Sequence, residues 1–359
     1  MRCETMLDER GVMKIWESEG QPWKERRQEL IKILLDEEYG YFPAESVRVT
    51  YETVSEEEAF CASKYPLKKI MLRAELASGV HEFPFYTMIP KGEGKYPFFI
   101  HINFRDDVPD RYMPVEEICD NGFALLSFCY TDVTSDDNDF TNGLAGVLYP
   151  GGKRESADAG KLRMWAWAAS KILDYACGLE ALDTGCATVV GHSRLGKTAL
   201  LAGALDERFF CAISNDSGCS GAAITRDKTG ERIADICRLA PQWFCENYYK
   251  YAGKESELPF DQHFLVAAIA PRMVCVGSAR EDSWADPDSE YLSCVAANEV
   301  YHRLGLRGFV HPDRLPETGD AFQEGEIGYH LRGGTHYFSR EDWLRYMDFI
   351  NKKREKRSE

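Results

Sequence analysis

Short apolar segments separated by helical segments fill the chain from about residue 95 onward, and this alternation restricts the fold more than any other feature. We predict strands at 97–102, 124–130, 187–191, 209–215, 273–278 and 327–332. We predict helices at about 164–177, 197–205, 288–304 and 340–352. Apolar strands that alternate with helices are typical of a parallel sheet covered on both faces. The sequence therefore predicts an α/β fold.

The first ninety residues follow a different pattern. Residues 23–38 carry apolar groups near helical spacing, and alternating runs between 47 and 90 predict antiparallel strands at one end of the sheet. We divide the chain into an N-terminal helix and strand extension, residues 1–60, and a main domain, residues 61–359. Residues 216–264 are long for a connection and rich in aromatic side chains, which favours a lid or substrate wall.

Charge and composition exclude several classes of partner. The chain has 43 Lys and Arg against 59 Asp and Glu, a net charge of -16 that repels nucleic acid and anionic lipid. No stretch approaches the roughly 18 to 20 apolar residues of a membrane span, and the first residues lack the apolar segment of a signal peptide. The 12 Cys are scattered without a CxxC pair, which indicates reduced thiols. We expect a cytoplasmic protein that binds neither nucleic acid nor membranes; its oligomeric state stays open.

The most informative motif is segment 188–200, TVVGHSRLGKTAL. An apolar strand runs into a glycine-flanked turn and then a helix, which is the setting of a nucleophile elbow. Such a turn exposes a serine hydroxyl beside a helix N-terminus, where a histidine can take its proton. Ser193 is the candidate nucleophile. The alternative is an ordinary serine N-cap, and the motif alone does not decide between the two.

A candidate acid and a candidate base follow Ser193 in the chain order of α/β hydrolases. Asp282 comes just after the predicted strand 273–278, and His336 lies in a glycine-containing loop after strand 327–332. The carboxyl ends of parallel strands meet at one rim of a sheet, so we expect both loops to emerge near Ser193. The three residues together favour nucleophilic catalysis over a structural serine.

Six aspartates, at 106, 107, 132, 136, 137 and 139, offer a weaker candidate metal site. Their irregular spacing lacks the glycine turn and terminal glutamate of a calcium-binding loop. We interpret them as solvated loop residues and expect neither a metal ion nor a cofactor.

The sequence around Ser193, GHSRLGK, is narrower than a general elbow, because Gly196 stands one position later than in Gly-x-Ser-x-Gly. Here the chain resembles the glucuronoyl esterases, carbohydrate esterase family 15, and bacterial relatives often labelled acetylxylan esterases. The resemblance covers roughly residues 96–348 and includes the strings NDSGCSGAA, LPFDQH, IAPRMVCVGSAREDSWADP and GGTH. It implies an α/β-hydrolase fold, with a mostly parallel central sheet and helices on both faces.

The resemblance also implies roles for individual residues. Ser193 is expected to be the nucleophile and His336 the base, with Arg194 contributing to the oxyanion hole. The residues expected to contact the sugar ring are Lys197, Glu231 and Trp284.

Two carboxylates compete for the position beside His336. Asp282 stands where most α/β hydrolases keep their acid, whereas Asp216 matches a position at which many glucuronoyl esterases have a glutamate. We favour Asp282 because Asp216 is one methylene shorter than that glutamate, and both remain open as alternatives.

One departure concerns a disulfide that joins a cysteine before the nucleophile to one after the catalytic histidine in fungal members. His192 and Tyr337 stand at these positions, so that disulfide cannot form. We predict a metal-independent serine esterase acting on a carbohydrate ester, either a small molecule or an oligosaccharide. A 4-O-methylglucuronoyl ester is the first choice. The alternatives are removal of acetyl groups from xylo-oligosaccharides and a catalytically inactive, carbohydrate-binding homologue.

Overall fold

One sheet of ten strands forms the centre of the computed structural model, which describes residues 2–16, 18, 20–43 and 48–358. In chain order the strands are β1 Arg48–Glu57, β2 Leu67–Leu76, β3 Gly79–Met88, β4 Tyr96–Asn103, β5 Ala124–Cys129, β6 Leu182–His192, β7 Cys211–Asn215, β8 Met273–Ala279, β9 Ala321–Phe322 and β10 Ile327–Arg332. Across the sheet their order is β1, β2, β3, β5, β4, β6, β7, β8, β10, β9.

The direction of the strands changes along the sheet. From β5 to β10 each pair of neighbours is parallel, whereas β1, β2 and β3 are antiparallel to one another and β3 is antiparallel to β5. The predicted parallel sheet with an antiparallel end is confirmed. The edge strand β9, only two residues long, was not predicted because so short a segment carries no periodicity. Val47, which begins the predicted antiparallel region, lies outside the described residues.

The helices are α1 Cys3–Glu9, α2 Trp23–Leu34, α3 Phe60–Ser63, α4 Val115–Asp120, α5 Tyr130–Val133, α6 Gly143–Leu148, α7 Lys161–Ala176, α8 Arg194–Leu205, α9 Ile233–Leu239, α10 His263–Ala267, α11 Pro287–Arg303 and α12 Arg340–Ser358. The four helices predicted after residue 95 correspond to α7, α8, α11 and α12. The predicted helix at 23–38 is α2 followed by a π-helical turn, Leu35–Tyr39. No helix among the described residues is long and apolar enough to cross a membrane.

Apolar side chains cover both faces of the sheet. In β4, Phe98 and Ile100 belong to one buried cluster and Phe99 to another, because successive residues of a strand point to opposite faces. Helices α7 and α8 contribute to the first cluster and α12 to the second. Burial on both faces explains why the central strands are apolar along their whole length.

The N-terminal extension is continuous with this sheet. Strand β1 precedes residue 60 but pairs with β2 from Arg48 opposite Glu75 to Glu57 opposite Leu67. The segment 216–264 contains α9, the first two residues of α10 and short 3₁₀ turns rather than an extended loop. Every cysteine is a free thiol, and Cys177 is the exposed one.

Candidate active site

The turn after β6 places Ser193 at the N-terminus of α8. Ser193 has φ 58° and ψ -128°, a backbone conformation that residues with side chains rarely adopt. Its N–H donates to the carbonyl of Asn215 over 2.8 Å. A Cβ at Gly191 would collide with the carbonyl of Leu195, and a Cβ at Gly196 would crowd the carbonyl of Gly191. The two glycines therefore permit the close approach of strand and helix that this sharp turn requires.

The loop after β10 carries His336, and Asp282 from the loop after β8 holds its ring. His336 Nδ1 lies 2.6 Å from Asp282 Oδ2, and the other oxygen of Asp282 accepts from the N–H of Ala285 over 3.2 Å. Burial acts to raise the pKa of Asp282, but the hydrogen bond and charge of His336 outweigh it and hold that pKa below its usual value. A carboxylate at Nδ1 orients the imidazole with Nε2 available as a base.

Asp216 lies close to this pair, but its hydrogen bonds go elsewhere. Its Oδ1 accepts from the N–H of Ala279 over 2.7 Å, and its Oδ2 accepts from Arg332 Nη2 over 3.1 Å. A carboxylate oxygen of Asp216, a carboxylate oxygen of Asp282 and a ring nitrogen of His336 lie within 4.8 Å of one another. Both predicted acids therefore reach the neighbourhood of the imidazole, and Asp282 makes the hydrogen bond to it.

Arg332, the last residue of β10, binds the loop that carries His336. Its Nε donates to the buried carboxylate of Asp342 over 2.8 Å, so two carboxylates, those of Asp342 and Asp216, flank the guanidinium. The terminal nitrogens donate to main-chain carbonyls on both sides of His336, those of Gly333, Thr335 and Tyr337. The guanidinium thus fixes this loop from the buried side.

His192 is a packed neighbour of the site. It is buried, its Nδ1 lies 2.7 Å from Asn215 Oδ1, and its ring centre lies 4.5 Å from that of His336. Burial lowers the pKa of His192 to about 3, and the nearby His336 adds to the shift. A neutral imidazole therefore packs against the ring of the candidate base.

Ser193 and His336 line one cavity of about 330 Å³. Its wall includes the four further residues that the resemblance singled out, which are Arg194, Lys197, Glu231 and Trp284. The segment 216–264 supplies much of the remaining wall, through Ile236, Leu239, Ala240, Gln242 and Trp243.

Arg194 presents its guanidinium at this wall. Nη1 forms an ion pair with Asp136, and the guanidinium carbon lies 4.8 Å from a ring centre of Trp243 and 5.6 Å from that of Phe104. Nε is buried and has no hydrogen-bond partner among the described residues. The interpretation of Asp136 as a solvated loop residue is wrong, because its side chain is only 9% exposed.

Lys197 and Glu231 form a second polar group at the wall. Lys197 is buried, and its Nζ donates to the carbonyl of Ser217 over 2.6 Å and to the carbonyl of Cys219. The same Nζ lies 3.4 Å from Glu231 Oε2. The N–H of Glu231 donates to the carbonyl of Trp284 over 2.9 Å, which joins two parts of the wall. Trp284 lines the cavity and is 49% exposed.

The sequence profile of fungal glucuronyl esterases matches residues 76–305 of this chain. The chain belongs to the glucuronoyl esterase family. The family expected from the GHSRLGK motif and its companion strings is confirmed.

Curated relatives of the chain include the carbohydrate esterase MZ0003 from an unknown prokaryotic organism. It is 39% identical over 239 residues, which cover 66% of this chain and 55% of the relative. A 4-O-methyl-glucuronoyl methylesterase of Wolfiporia cocos is 31% identical over 223 residues, 56% of this chain and 54% of the relative. The chain spans about half the length of these curated relatives.

Solved structures extend the likeness over nearly the whole chain. A glucuronoyl esterase from Solibacter usitatus superposes with a TM-score of 0.86 at 29% identity, covering 95% of this chain and 97% of that one. A promiscuous esterase of carbohydrate esterase family 15 from a marine bacterial metagenome gives 0.86 at 28% identity, covering 95% and 96%. The predicted α/β-hydrolase fold is confirmed.

The two positions at which the resemblance implies the cysteines of a fungal disulfide have other contacts here. His192 packs on His336 as described, and the ring of Tyr337 lies 4.1 Å from the guanidinium carbon of Arg332. The loop of His336 is thus held by hydrogen bonds and ring contacts.

Sequence reasoning missed several residues of this candidate site. Asp136 was noticed only as part of an aspartate-rich loop, Trp243 only as an aromatic of the insertion, and Arg332 not at all. Each reaches the site through contacts far apart in the chain, which no local pattern reveals.

Asp216, Asp282 and His336 are also the one close group of three possible metal ligands among the described residues. Asp282 and His336 already bond to each other, and Asp216 bonds to Arg332 and a main-chain N–H. A metal ion would have to displace these bonds, so this donor set fits proton transfer better than coordination.

Proposed function

We propose that this chain is a serine esterase that hydrolyses a carbohydrate ester, with 4-O-methylglucuronoyl esters as its substrates. The observation that carries the proposal is that His336, which is hydrogen-bonded to Asp282, lines the same cavity as the strained elbow of Ser193. Ser193, His336 and Asp282 are assigned as the triad, and the assignment accounts for a strained turn that a serine N-cap would not need.

The reaction proceeds in two halves. Ser193 Oγ attacks the ester carbonyl while His336 Nε2 takes the hydroxyl proton; the bond to the alcohol oxygen then breaks, and His336 gives this proton to the leaving alcohol. A water molecule next attacks the acyl carbonyl and passes a proton to His336. The bond between the acyl carbon and Ser193 breaks, and the serine regains its proton as the uronic acid leaves.

The negative charge that develops on the carbonyl oxygen is stabilised at the start of α8. The first N–H groups of a helix have no intrahelical acceptor, and the helix dipole favours an anion there. Arg194 supplies its own N–H at this position and adds a guanidinium charge. Preorganised donors of this kind are among the largest contributions to rate in acyl transfer.

The substrate assignment rests on the rest of the wall and on the family. Lys197 and Glu231 offer donors and acceptors for sugar hydroxyls, and Trp284 offers an apolar face for a pyranose ring. Family membership and curated relatives named as 4-O-methyl-glucuronoyl methylesterases support a uronate ester over an acetyl ester. The acetyl alternative is kept because one structural neighbour is described as promiscuous. The cytoplasmic location stays a prediction.

An ester panel tests the proposal, with benzyl glucuronate, an acetylated xylo-oligosaccharide and an aryl acetate as substrates. We expect benzyl glucuronate to give the highest kcat/KM, and Ser193→Ala to lower kcat on the order of 10⁴-fold or more. Ser55→Ala, on the exposed part of β1, is the matched control and is expected to be fully active. Faster turnover of the acetylated substrate would favour the acetyl esterase, and no turnover of any ester would favour the inactive homologue.

A further inference from the structure

The carboxylate of Asp136 lies between the nucleophile helix and the segment 216–264, and it accepts hydrogen bonds from side chains of both. Oδ1 accepts from Gln242 Nε2 over 2.9 Å and from Trp243 Nε1 over 2.7 Å. Oδ2 accepts from Tyr130 OH over 3.0 Å and from Arg194 Nη1. Four donors from three separate parts of the chain therefore converge on one side chain, which is 9% exposed.

Arg194 depends on such contacts for a fixed position. An arginine side chain has several rotatable bonds, and ordering it costs rotamer entropy. The guanidinium lies against the rings of Trp243 and Phe104, and its one direct ion pair in the described chain is with Asp136. Asp136 and the ring of Trp243 therefore hold the same guanidinium. Asp136 also fixes that ring by accepting the hydrogen bond from Trp243 Nε1–H.

The charge of Asp136 persists despite its burial. Burial acts to raise the pKa of this carboxyl, but the charge of Arg194 and the hydrogen bonds from Gln242, Trp243 and Arg194 outweigh it, and the pKa lies below its usual value. Asp136 is thus ionised at neutral pH and accepts at both oxygens. Replacement by asparagine would turn one acceptor into a donor that faces another donor.

We propose that Asp136 is a positioning residue that holds the guanidinium of Arg194 at the cavity wall and ties it to Gln242 and Trp243 of the segment 216–264. The inference rests on the proposed function, since it concerns how the oxyanion donor is set in place. It gives this segment a second task besides forming a wall, because the segment takes part in ordering the charge next to Ser193.

The first test is Asp136→Asn, which keeps the size of the side chain and removes its charge. We expect kcat for benzyl glucuronate to fall by about tenfold to hundredfold with little change in KM, somewhat less than the loss of a whole oxyanion donor. Asp137→Asn is the matched control, because Asp137 stands next in the chain, is 59% exposed and contacts Lys161 instead of Arg194. It is expected to stay within about twofold of wild type.

The decisive experiment is a double-mutant cycle with Arg194→Ala. If Asp136 acts through Arg194, Asp136→Asn should change kcat by less than about twofold once the guanidinium is gone. Equal losses in the presence and absence of Arg194 would overturn the proposal, because they would mean that Asp136 supports the fold in general.

Thermal melting of each variant separates folding from positioning. If Asp136→Asn does not fold, the same cycle is run with Asp136→Glu, which keeps the charge and moves it by one methylene. A loss of kcat that disappears in the Arg194→Ala background supports the proposal. A loss of kcat that is equal with and without Arg194 overturns it. The Ser193→Ala variant distinguishes the two levels of inference. If Ser193→Ala abolishes activity but the effects of the Asp136 and Arg194 substitutions are additive, only the positioning role of Asp136 is overturned. If Ser193→Ala is fully active, both the proposed function and the positioning role are overturned.

Discussion

His336 Nδ1 lies 2.6 Å from Asp282 Oδ2, while the second candidate acid, Asp216, accepts hydrogen bonds from Arg332 and a main-chain N–H. The two carboxylates thus have different tasks although they lie at one rim of the sheet. Asp282 orients the imidazole, and Asp216 accepts a hydrogen bond from the arginine that holds the loop of His336.

This division predicts different outcomes for the two amide variants. Asp282→Asn is expected to lower kcat by about 10⁴, because an amide at Nδ1 favours the wrong imidazole tautomer. Asp216→Asn breaks a buried ion pair, and we expect its main effect in the free energy of unfolding, on the order of 3 kcal/mol. Steady-state kinetics and urea unfolding of both variants check this. A loss of about 10⁴ in kcat for Asp216→Asn, with Asp282→Asn near wild type, would reverse the assignment.

Arg194→Ala is expected to lower kcat by about 10² to 10³ and to change KM little, because charge stabilisation at the oxyanion is made mainly in the transition state. Arg208→Ala serves as the control, since Arg208 is a half-exposed surface residue outside the cavity wall. Kinetics with benzyl glucuronate measure both constants. An unchanged kcat for Arg194→Ala would leave this arginine with a purely structural role.

Glu231→Gln is expected to raise KM for benzyl glucuronate by about tenfold while the kinetics with an aryl acetate stay unchanged, because only the sugar substrate would use this carboxylate. The aryl acetate is the internal control for folding. Lys197 is a poorer choice for this test, since its ammonium binds two main-chain carbonyls and its removal would disturb the wall itself. Equal damage to both substrates by Glu231→Gln would rule out a specific sugar contact.

The buried carboxyl group of Glu290 leads us to expect that the stability of the protein depends on pH. This side chain of α11 is fully buried, accepting from Ser278 Oγ over 2.6 Å and from the N–H of Gly218 over 2.9 Å. Burial raises the pKa of Glu290 to about 7, with the charge of Asp282 adding to the shift. The folded state therefore holds this proton more tightly than the unfolded state does.

The sign follows from that difference in proton binding. Between about pH 4.5 and pH 7 the folded protein binds more protons at Glu290, so its contribution to stability is greatest at the acid end and falls as pH rises, by about 3 kcal/mol in all. We expect Glu290→Gln to lack this decline. Urea unfolding of both proteins at pH 5 and pH 8 measures it, and a parallel change in the two would show that Glu290 does not titrate in this range.

The sequence by itself determined the features that depend on short stretches of chain. The apolar runs predicted the central strands, because a strand buried on both faces needs an apolar side chain at nearly every position. Gly191 and Gly196 indicated the sharp turn at Ser193. The structure gives the reason, because a Cβ at either position would meet neighbouring main chain. The strings around these residues also identified the family.

Only the tertiary structure decided which side chains meet across the rim. The sequence left Asp282 and Asp216 as alternatives, and it represented Asp136 as a solvated residue. Hydrogen bonds between Asp136 and Trp243, or between Arg332 and Asp216, join segments more than a hundred residues apart. Whether such a bond forms depends on the order of strands in the sheet and on how the loops pack above it, and neither is encoded in the residues next to the carboxylate.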